Sequence, residues 1–413
     1  MTTETYILGL ESSCDETSCA VVADGRRVLS NVVATQIDLH ARFGGVVPEI
    51  ASRAHIEAVN TVIEQALLRA NVTPGQIHAV AVTCEPGLIG SLLIGLMAAK
   101  TLAWAWDVPL VGINHVYAHA YAAALNAEPI DYPAVALIAS GGHTALYRLA
   151  GPLEMELLGT TIDDAAGEAY DKVASILRLG FPGGPALEKT AREGNPAAID
   201  FPRTLLEGQS LDFSFSGLKT AVLYHVNGTP EHPKRRRERS TGILPVSRMG
   251  VSPMQRQPSD ETSTSQPNAN ETATPCAKHG QDARETHGRD ARATPDAGET
   301  PASRGIERFS PAQVADIAAS FQAAVIDVLR IKMRRAVKLT GAKTLIMGGG
   351  VVANKALRAA ADDLAASLRC TLRVPDFQFC VDNGAMIAGL GYHYLRQGRT
   401  ADLDLEAQAT VRR

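Results

Sequence analysis

His115 and His119 stand four residues apart in Asn114-His115-Val116-Tyr117-Ala118-His119, directly after the apolar run Val108–Ile113. Residues at that spacing share one face of a helix, so the two imidazoles can hold one divalent metal ion. The pair looks like half of a zinc-peptidase motif, in which a glutamate after the first histidine activates water. Val116 occupies that position, so a metal is expected but metal-assisted peptide hydrolysis lacks its base. A third ligand is available in Cys380-Val381-Asp382-Asn383-Gly384. Asp382 is read there at a strand end and a helix start. Two histidines and one carboxylate form an open site with room for phosphate oxygens.

Four glycine turns could cradle such phosphates: Ser140-Gly141-Gly142-His143-Thr144, Pro182-Gly183-Gly184-Pro185, Gly348-Gly349-Gly350, and Cys84-Glu85-Pro86-Gly87 with Gly90. Glycines let backbone N–H groups approach an anion, and helix N-termini favour its charge. A P-loop fails, because Leu96 stands where the lysine after Gly95 should be. Gly348 to Ala353 has the form of a dinucleotide fingerprint, but too little chain surrounds it for a dinucleotide domain. The acidic stretch Asp163-Asp164-Ala165-Ala166-Gly167-Glu168-Ala169-Tyr170-Asp171 has two readings. It either caps the helix that follows and faces solvent, or it holds ligand hydroxyls or a metal.

The elements that must position these residues follow from hydrophobic periodicity. Tyr6–Val22 and Ala134–Tyr147 each read as two strands around a polar turn, followed by further strands near Val28–Thr35 and Glu154–Thr160. Helices are expected over 48–70, 89–106, 115–125, 166–177, 186–192, 311–339, 353–368 and 383–396, with strands over 77–83, 108–113 and 343–347. Two hairpin-plus-βαβ halves predict an α/β fold with a ligand cleft between two sheets. The halves divide into residues 1–128 and 129–413. The second is interrupted by 228–305, rich in Pro, Ser, Thr, Arg and Asp, with a tandem near-repeat at 279–294. Such a stretch buries too little apolar surface to offset its ordering entropy, so it reads as a disordered low-complexity insertion. Its acidic residues nearly match its basic ones, which argues against an RNA-binding arm.

Composition is that of an ordinary globular chain: 413 residues, 45% hydrophobic, 20% charged, net charge −4. No overall nucleic-acid signature is present, so an RNA contact needs a local basic patch. Arg330, Lys332, Arg334, Arg335 and Lys338 offer one, or simply a solvated face. The cysteines form no C-x-x-C pair, the N-terminus has no signal-peptide pattern, and the apolar run Leu92–Trp106 is short and carries Lys100. These features point to a cytoplasmic protein without a membrane span.

Taken together, the runs Glu11–Thr17, Gly44–Arg53, Pro86–Gly90, Ser140–Thr144, Asp163–Lys172, Pro182–Pro185, Asp212–Lys219, Gly348–Asn354 and Asp382–Met386 resemble one family. It is that of the tRNA threonylcarbamoyladenosine transferases, the Gcp/YgjD-type proteins called TsaD in bacteria and once classed as glycoproteases. The resemblance implies an actin-like, two-lobed fold of the sugar kinase/Hsp70 superclass. It implies transfer of the L-threonylcarbamoyl group from threonylcarbamoyl-AMP to N6 of adenosine 37, beside the anticodon, in tRNAs reading codons that begin with adenine. AMP leaves. By motif, His115, His119 and Asp382 would bind the metal, Fe(2+) with Zn(2+) as the other choice. Ile138, Ala139, Ser140, Gly141 and Gly142 would hold the acyl-adenylate. Asp171 and Gly184 would take contacts on the ribose or adenine side, and Asn354 would touch the nucleotide. Glu188 stands where many members have Asp, and Asn114 where many have His. No catalytic base is fixed by the resemblance; His143 and Glu16 are candidates from their places in turns near the cleft. TsaB-like and TsaE-like helper proteins are implied partners. An ATPase or kinase of the same fold, or a small-molecule O-carbamoyltransferase with the same metal site, are the rival readings.

Overall fold

The computed structural model describes residues 4–204, 208–228 and 305–410. Nearly all of the expected insertion lies outside the described residues. The two residues that bound it are described, and the Gly305 N–H donates to Asn227 Oδ1 at 2.9 Å. Residues 227 and 305 are therefore neighbours in space.

The first half folds as β1 (Tyr6–Glu11), β2 (Glu16–Ala23), β3 (Arg27–Thr35), α1 (Ile37–Ala41), α2 (Pro48–Ala70), β4 (Ile77–Glu85), α3 (Ile89–Trp106), β5 (Leu110–Asn114) and α4 (His115–Tyr121). The second half follows with β6 (Ala134–Ala139), β7 (Thr144–Gly151), β8 (Glu154–Thr160), α5 (Ala166–Ile176), α6 (Gly183–Ala191), α7 (Ser216–Asn227), α8 (Pro311–Thr340), β9 (Thr344–Gly348), α9 (Lys355–Leu368), β10 (Thr371–Arg373) and α10 (Gly384–Arg396). The two sheets have one plan: β3-β2-β1-β4-β5 and, in mirror order of listing, β8-β7-β6-β9-β10. In each, an antiparallel hairpin leads into parallel pairs, β1 with β4 and β6 with β9.

Strand alternation decides what lies on each face. Leu8, Leu10, Val80 and Val82 face a core completed by α2 and α3, while Ile7, Ala79 and Ala81 face the other way. In the second sheet, Val135, Leu137 and Met347 pack with α5 and α8, and Ala134, Ala136 and Ile138 face inward. The two inward faces share one apolar cluster, which α4 and α10 fill. All these strands are buried on both faces, which is why they read as continuous apolar runs.

The last helix departs from the expected division of the chain at residue 128. α10 belongs to the second half by sequence, yet it packs on β1 and β4 of the first sheet. A Cβ on Gly9 would lie 2.2 Å from the Gly384 carbonyl oxygen, and one on Gly391 would lie 2.6 Å from the Ala81 Cβ. Small residues let the helix backbone rest directly on the strands. α4 does the converse: Gly348 of β9 in the second sheet packs against the backbone carbonyl of His119. Each half thus lends a helix to the middle layer.

Other expected boundaries moved. α4 ends at Tyr121 and tightens into a 3-10 turn at Ala122–Ala124. α6 opens at Gly183, and α9 begins only at Lys355, after a 3-10 turn at Gly350–Ala353. α7 was not among the expected helices, although Leu218, Val222 and Val226 recur at helical spacing. Among the described residues, α3 alone is long and apolar enough to cross a membrane. It buries Leu92, Leu96, Ala99 and Ala103 against the first sheet and exposes Leu93, Met97 and Trp104.

A candidate metal centre beside a glycine-lined cleft

β5 passes into α4 without a linker, because Asn114 caps the helix: its side-chain oxygen accepts from the N–H groups of Val116 (3.0 Å) and Tyr117 (3.2 Å). Its amide also donates to Glu85 Oε1 at 3.2 Å, anchoring the cap to the end of β4. The cap sets the first turn, and His115 and His119 then share a face with ring centroids 4.6 Å apart. Asp382 is fixed from the other half of the chain. Asn383 caps α10 by accepting from Met386 N at 3.0 Å, and the Gly384 N–H donates to Ser18 Oγ at 2.8 Å. No strand precedes Asp382 as the sequence suggested; a 3-10 turn at Phe377–Phe379 does.

His119 Nε2 lies 3.0 Å and His115 Nε2 3.5 Å from Asp382 Oδ1. One ligand atom from each of the three residues falls within 4.8 Å of the others. The far nitrogen of His115, Nδ1, is 2.9 Å from Glu11 Oε2 and 3.2 Å from Ser13 Oγ. Glu11 is buried at the end of β1 and also accepts from Thr83 Oγ1 (2.6 Å) and Ser13 N (2.6 Å). A histidine oriented by a carboxylate behind it is the usual support of a metal ligand. His119 Nδ1 is buried and has no hydrogen-bond partner among the described residues.

Burial alone would discourage a charged His115, but the charges of Asp382 and Glu11 outweigh it and lift its pKa to about 9. Burial likewise opposes ionisation of Asp382, and His115 and His119 still hold it far below the usual carboxylate range. Glu11 is also lowered, against burial, by His115. A buried carboxylate, Glu11, and a part-buried one, Asp382, thus demand positive charge at this point. Two imidazole nitrogens and a carboxylate oxygen converging there form a donor set that fits Fe(2+) or Zn(2+).

The centre opens on a cavity of about 420 Å³. Turns 13–16 and 86–88 line one side, Ser140–His143 and Gly350 the other, with His115, Asp382 and Ala409 also at its wall. Of the expected binding residues, Ser140, Gly141 and Gly142 reach it. A Cβ added at Gly141 or Gly142 would meet nothing within 4 Å, and neither amide donates a hydrogen bond among the described residues. The turn is seated on α5: the Gly167 N–H donates to Ser140 O at 3.1 Å, and a Cβ on Gly167 would meet that oxygen at 2.5 Å. Ile138 and Ala139 end β6, fully buried and outside the cavity lining.

The run Gly348–Gly350 divides its work. A Cβ on Gly348 would lie 2.2 Å from His119 O, and one on Gly349, at φ +93°, 2.4 Å from Ala139 O. Only Gly350 lines the cavity. Asn354 is spent on structure: its oxygen caps α9 through Leu357 N (2.9 Å) and its amide donates to Gln322 Oε1 (2.7 Å). Asp171 and Gly184 lie together outside the cavity lining, where Asp171 Oδ1 accepts from Gly183 N at 2.8 Å. Glu188 bonds the Lys355 N–H at 3.2 Å and Arg192 at 2.9 Å, tying α6 to α9.

Both base candidates line the cavity. Burial, with His115 and His119 nearby, pushes His143 down to about 4, so it is neutral at pH 7. Burial, with Asp382 and Asp15 nearby, pushes Glu16 up to about 10. Glu11, Ser13 and Ala409 had no assigned role in the sequence. Glu11 had one signal, a carboxylate ending an otherwise apolar strand.

A family model described as tRNA N6-adenosine threonylcarbamoyltransferase matches residues 27–389. A protein of that name from Anaeromyxobacter dehalogenans is 42% identical over 411 residues, covering 99% of each chain. One from Symbiobacterium thermophilum is 44% identical over 407 residues, covering 98% of this chain and 96% of its own. The crystal structure of full-length HypF in its phosphate- and nucleotide-bound form matches 97% of this chain and 48% of its own, with a TM-score of 0.52 and 12% identity. That likeness shows the fold alone, an actin-like two-lobed α/β architecture.

Proposed function

The chain belongs to the family of tRNA N6-adenosine threonylcarbamoyltransferases and carries out their tRNA modification, and from that premise we propose how its cleft performs the transfer. The donor is threonylcarbamoyl-AMP and the acceptor is the N6 amine of adenosine 37, in tRNAs reading codons that begin with adenine. The observation that supports this reading is the convergence of His115, His119 and Asp382 beside a cavity lined by the Ser140-Gly141-Gly142 turn.

The donor is a mixed anhydride, already activated, so no covalent intermediate with the protein is required. The amine nitrogen attacks the carbamoyl carbon, the carbon–oxygen bond to phosphate breaks, and AMP departs with the electron pair. The Ser140–Gly142 turn directs N–H groups at the adenylate, and its seat on α5 keeps them in place. His115, His119 and Asp382 would hold the divalent ion, Fe(2+) or Zn(2+), which when bound offsets negative charge on the phosphate. We assign the proton lost by the amine to one of the two base candidates that line the cavity, His143 or Glu16. The target base must be unstacked to reach the cleft, as loop nucleotides are.

The helper proteins follow from the same family reading. The exposed stripe of Leu93, Met97 and Trp104 on α3 supports an apolar docking surface for the TsaB-like one. A TsaE-like ATPase completes the set. The described cysteines are free thiols, which supports a reducing cytoplasm.

The test is a reaction of the protein with tRNA, labelled threonine, bicarbonate, ATP and an adenylate-forming enzyme, with helpers present. Label on tRNA adenosine with release of AMP is expected. Phosphorylation of a small molecule with no label in tRNA would overturn the reading in favour of a kinase.

A further inference from the structure

Arg358 lies in the first turn of α9, its N–H bonded to Asn354 O at 3.1 Å. Its guanidinium reaches two segments distant in sequence. Nε donates to Val352 O at 2.7 Å, in the turn whose first residue, Gly350, lines the cavity. Nη2 donates to Pro375 O at 2.9 Å and to Cys380 Sγ at 2.9 Å. Those residues bracket the 3-10 turn that delivers Asp382 to the metal centre. The Cys380 thiol in turn donates to Asp376 O at 3.5 Å, closing the segment on itself. The guanidinium carbon stands 4.1 Å from the centroid of the Phe377 ring, so the plane is fixed from a third direction. A planar fork with fixed donors can join two backbone segments at once; a lysine ammonium, a point charge on a flexible stem, cannot hold the same geometry.

We propose that Arg358 is a positioning residue that couples the third glycine turn, Gly350–Ala353, to the segment Pro375–Asp382, so that the cavity wall and the metal carboxylate keep one relative placement. The consequence for metal binding rests on the His115–His119–Asp382 reading above; the coupling itself does not.

Two measurements on the full-length protein test this. Amide hydrogen exchange of the metal-stripped protein should show residues 350–353 and 376–382 losing protection together in Arg358→Met, with α8 and the sheet strands unchanged. Arg358→Lys should restore little. Cobalt(II) titration should show affinity reduced about tenfold or more in Arg358→Met, the scale of losses at outer-shell partners, with an altered visible absorption band. Abolition of cobalt binding in the His115→Ala/His119→Ala variant secures the metal reading separately. Wild-type exchange in either segment overturns the coupling, as does a lysine variant that behaves like wild type. If wild-type protein binds no cobalt, the metal reading falls and exchange alone decides: joint loosening upholds the coupling, independent behaviour refutes it.

Discussion

The sequence offers two segments whose carboxylates could hold a ligand or metal, Asp163–Asp171 and the one around Asp382, and the fold uses them in opposite ways. Asp163 accepts from Ser214 Oγ (2.5 Å), Phe215 N (2.8 Å), Ser216 N (3.3 Å) and Ser216 Oγ (2.7 Å). It is thereby the cap of α7, a helix that starts more than fifty residues later, not of the helix that follows it. Asp164 is held between Lys172 (2.9 Å) and Lys219 (2.7 Å). Glu168 accepts the Ala165 N–H at 3.4 Å and pairs with Lys172 at 2.7 Å. These oxygens have their partners within the protein. Around Asp382 the partners are two imidazoles that could themselves hold a metal, and one buried nitrogen, His119 Nδ1, has none among the described residues. A structural carboxylate has spent its hydrogen-bonding capacity; a binding site keeps some in reserve.

That contrast predicts opposite phenotypes. His115→Ala with His119→Ala should remove bound metal entirely and lower transfer by orders of magnitude, while the protein still folds; unchanged metal content by atomic emission would erase the distinction. Gly348→Ala should come next, because its Cβ must displace the His119 carbonyl. A loss of about 1–3 kcal/mol is expected from such overpacking, together with weaker metal binding. Denaturant melts and cobalt titration read both. Asp163→Ala should cost about 1–2 kcal/mol, the worth of a helix cap, with metal content intact. Asp164→Asn should cost less, up to about 1 kcal/mol, since Lys172 and Lys219 are partly exposed.

A pH titration sharpens the same comparison. The folded pKa of His115, about 9, lies above its ordinary 6.5. In metal-free protein its proton is therefore stabilising below pH 6.5, and that contribution fades as pH rises through 9. A metal must displace this proton, so affinity should climb with pH, about tenfold per unit for one proton, and level off near pH 9. Affinity independent of pH from 6 to 8 would place the metal elsewhere.

The sheets and most helices were legible because each strand and helix face carries its own periodicity, as in Tyr6–Glu11 or the apolar face of α8. α7 was missed although Leu218, Val222 and Val226 carry helical spacing; what the local sequence lacks is its cap, since Asp163 lies in another segment. The structure brings together the histidine pair, read from residue type and spacing, and Asp382, read from its place before a helix. Glu11 was not assigned, since its partners Thr83 and His115 are contacts across the sheet that no local pattern encodes. Asn354 was placed at the nucleotide by motif, yet the structure uses its side chain for a cap, a role its position before a helix also advertised. The glycine run 348–350 was read as one phosphate cradle. Two of its three residues instead serve backbone contacts with His119 and Ala139. Such contacts depend on how α4 and β6 meet, which sequence order does not state.

The most direct test is single-turnover transfer of labelled threonine from preformed threonylcarbamoyl-AMP to tRNA, normalised to folded protein. Wild type and Asp163→Ala should transfer label at comparable rates, and His115→Ala/His119→Ala should transfer none above background. Equal transfer by the histidine variant, or a silent Asp163→Ala that remains folded, would contradict the account.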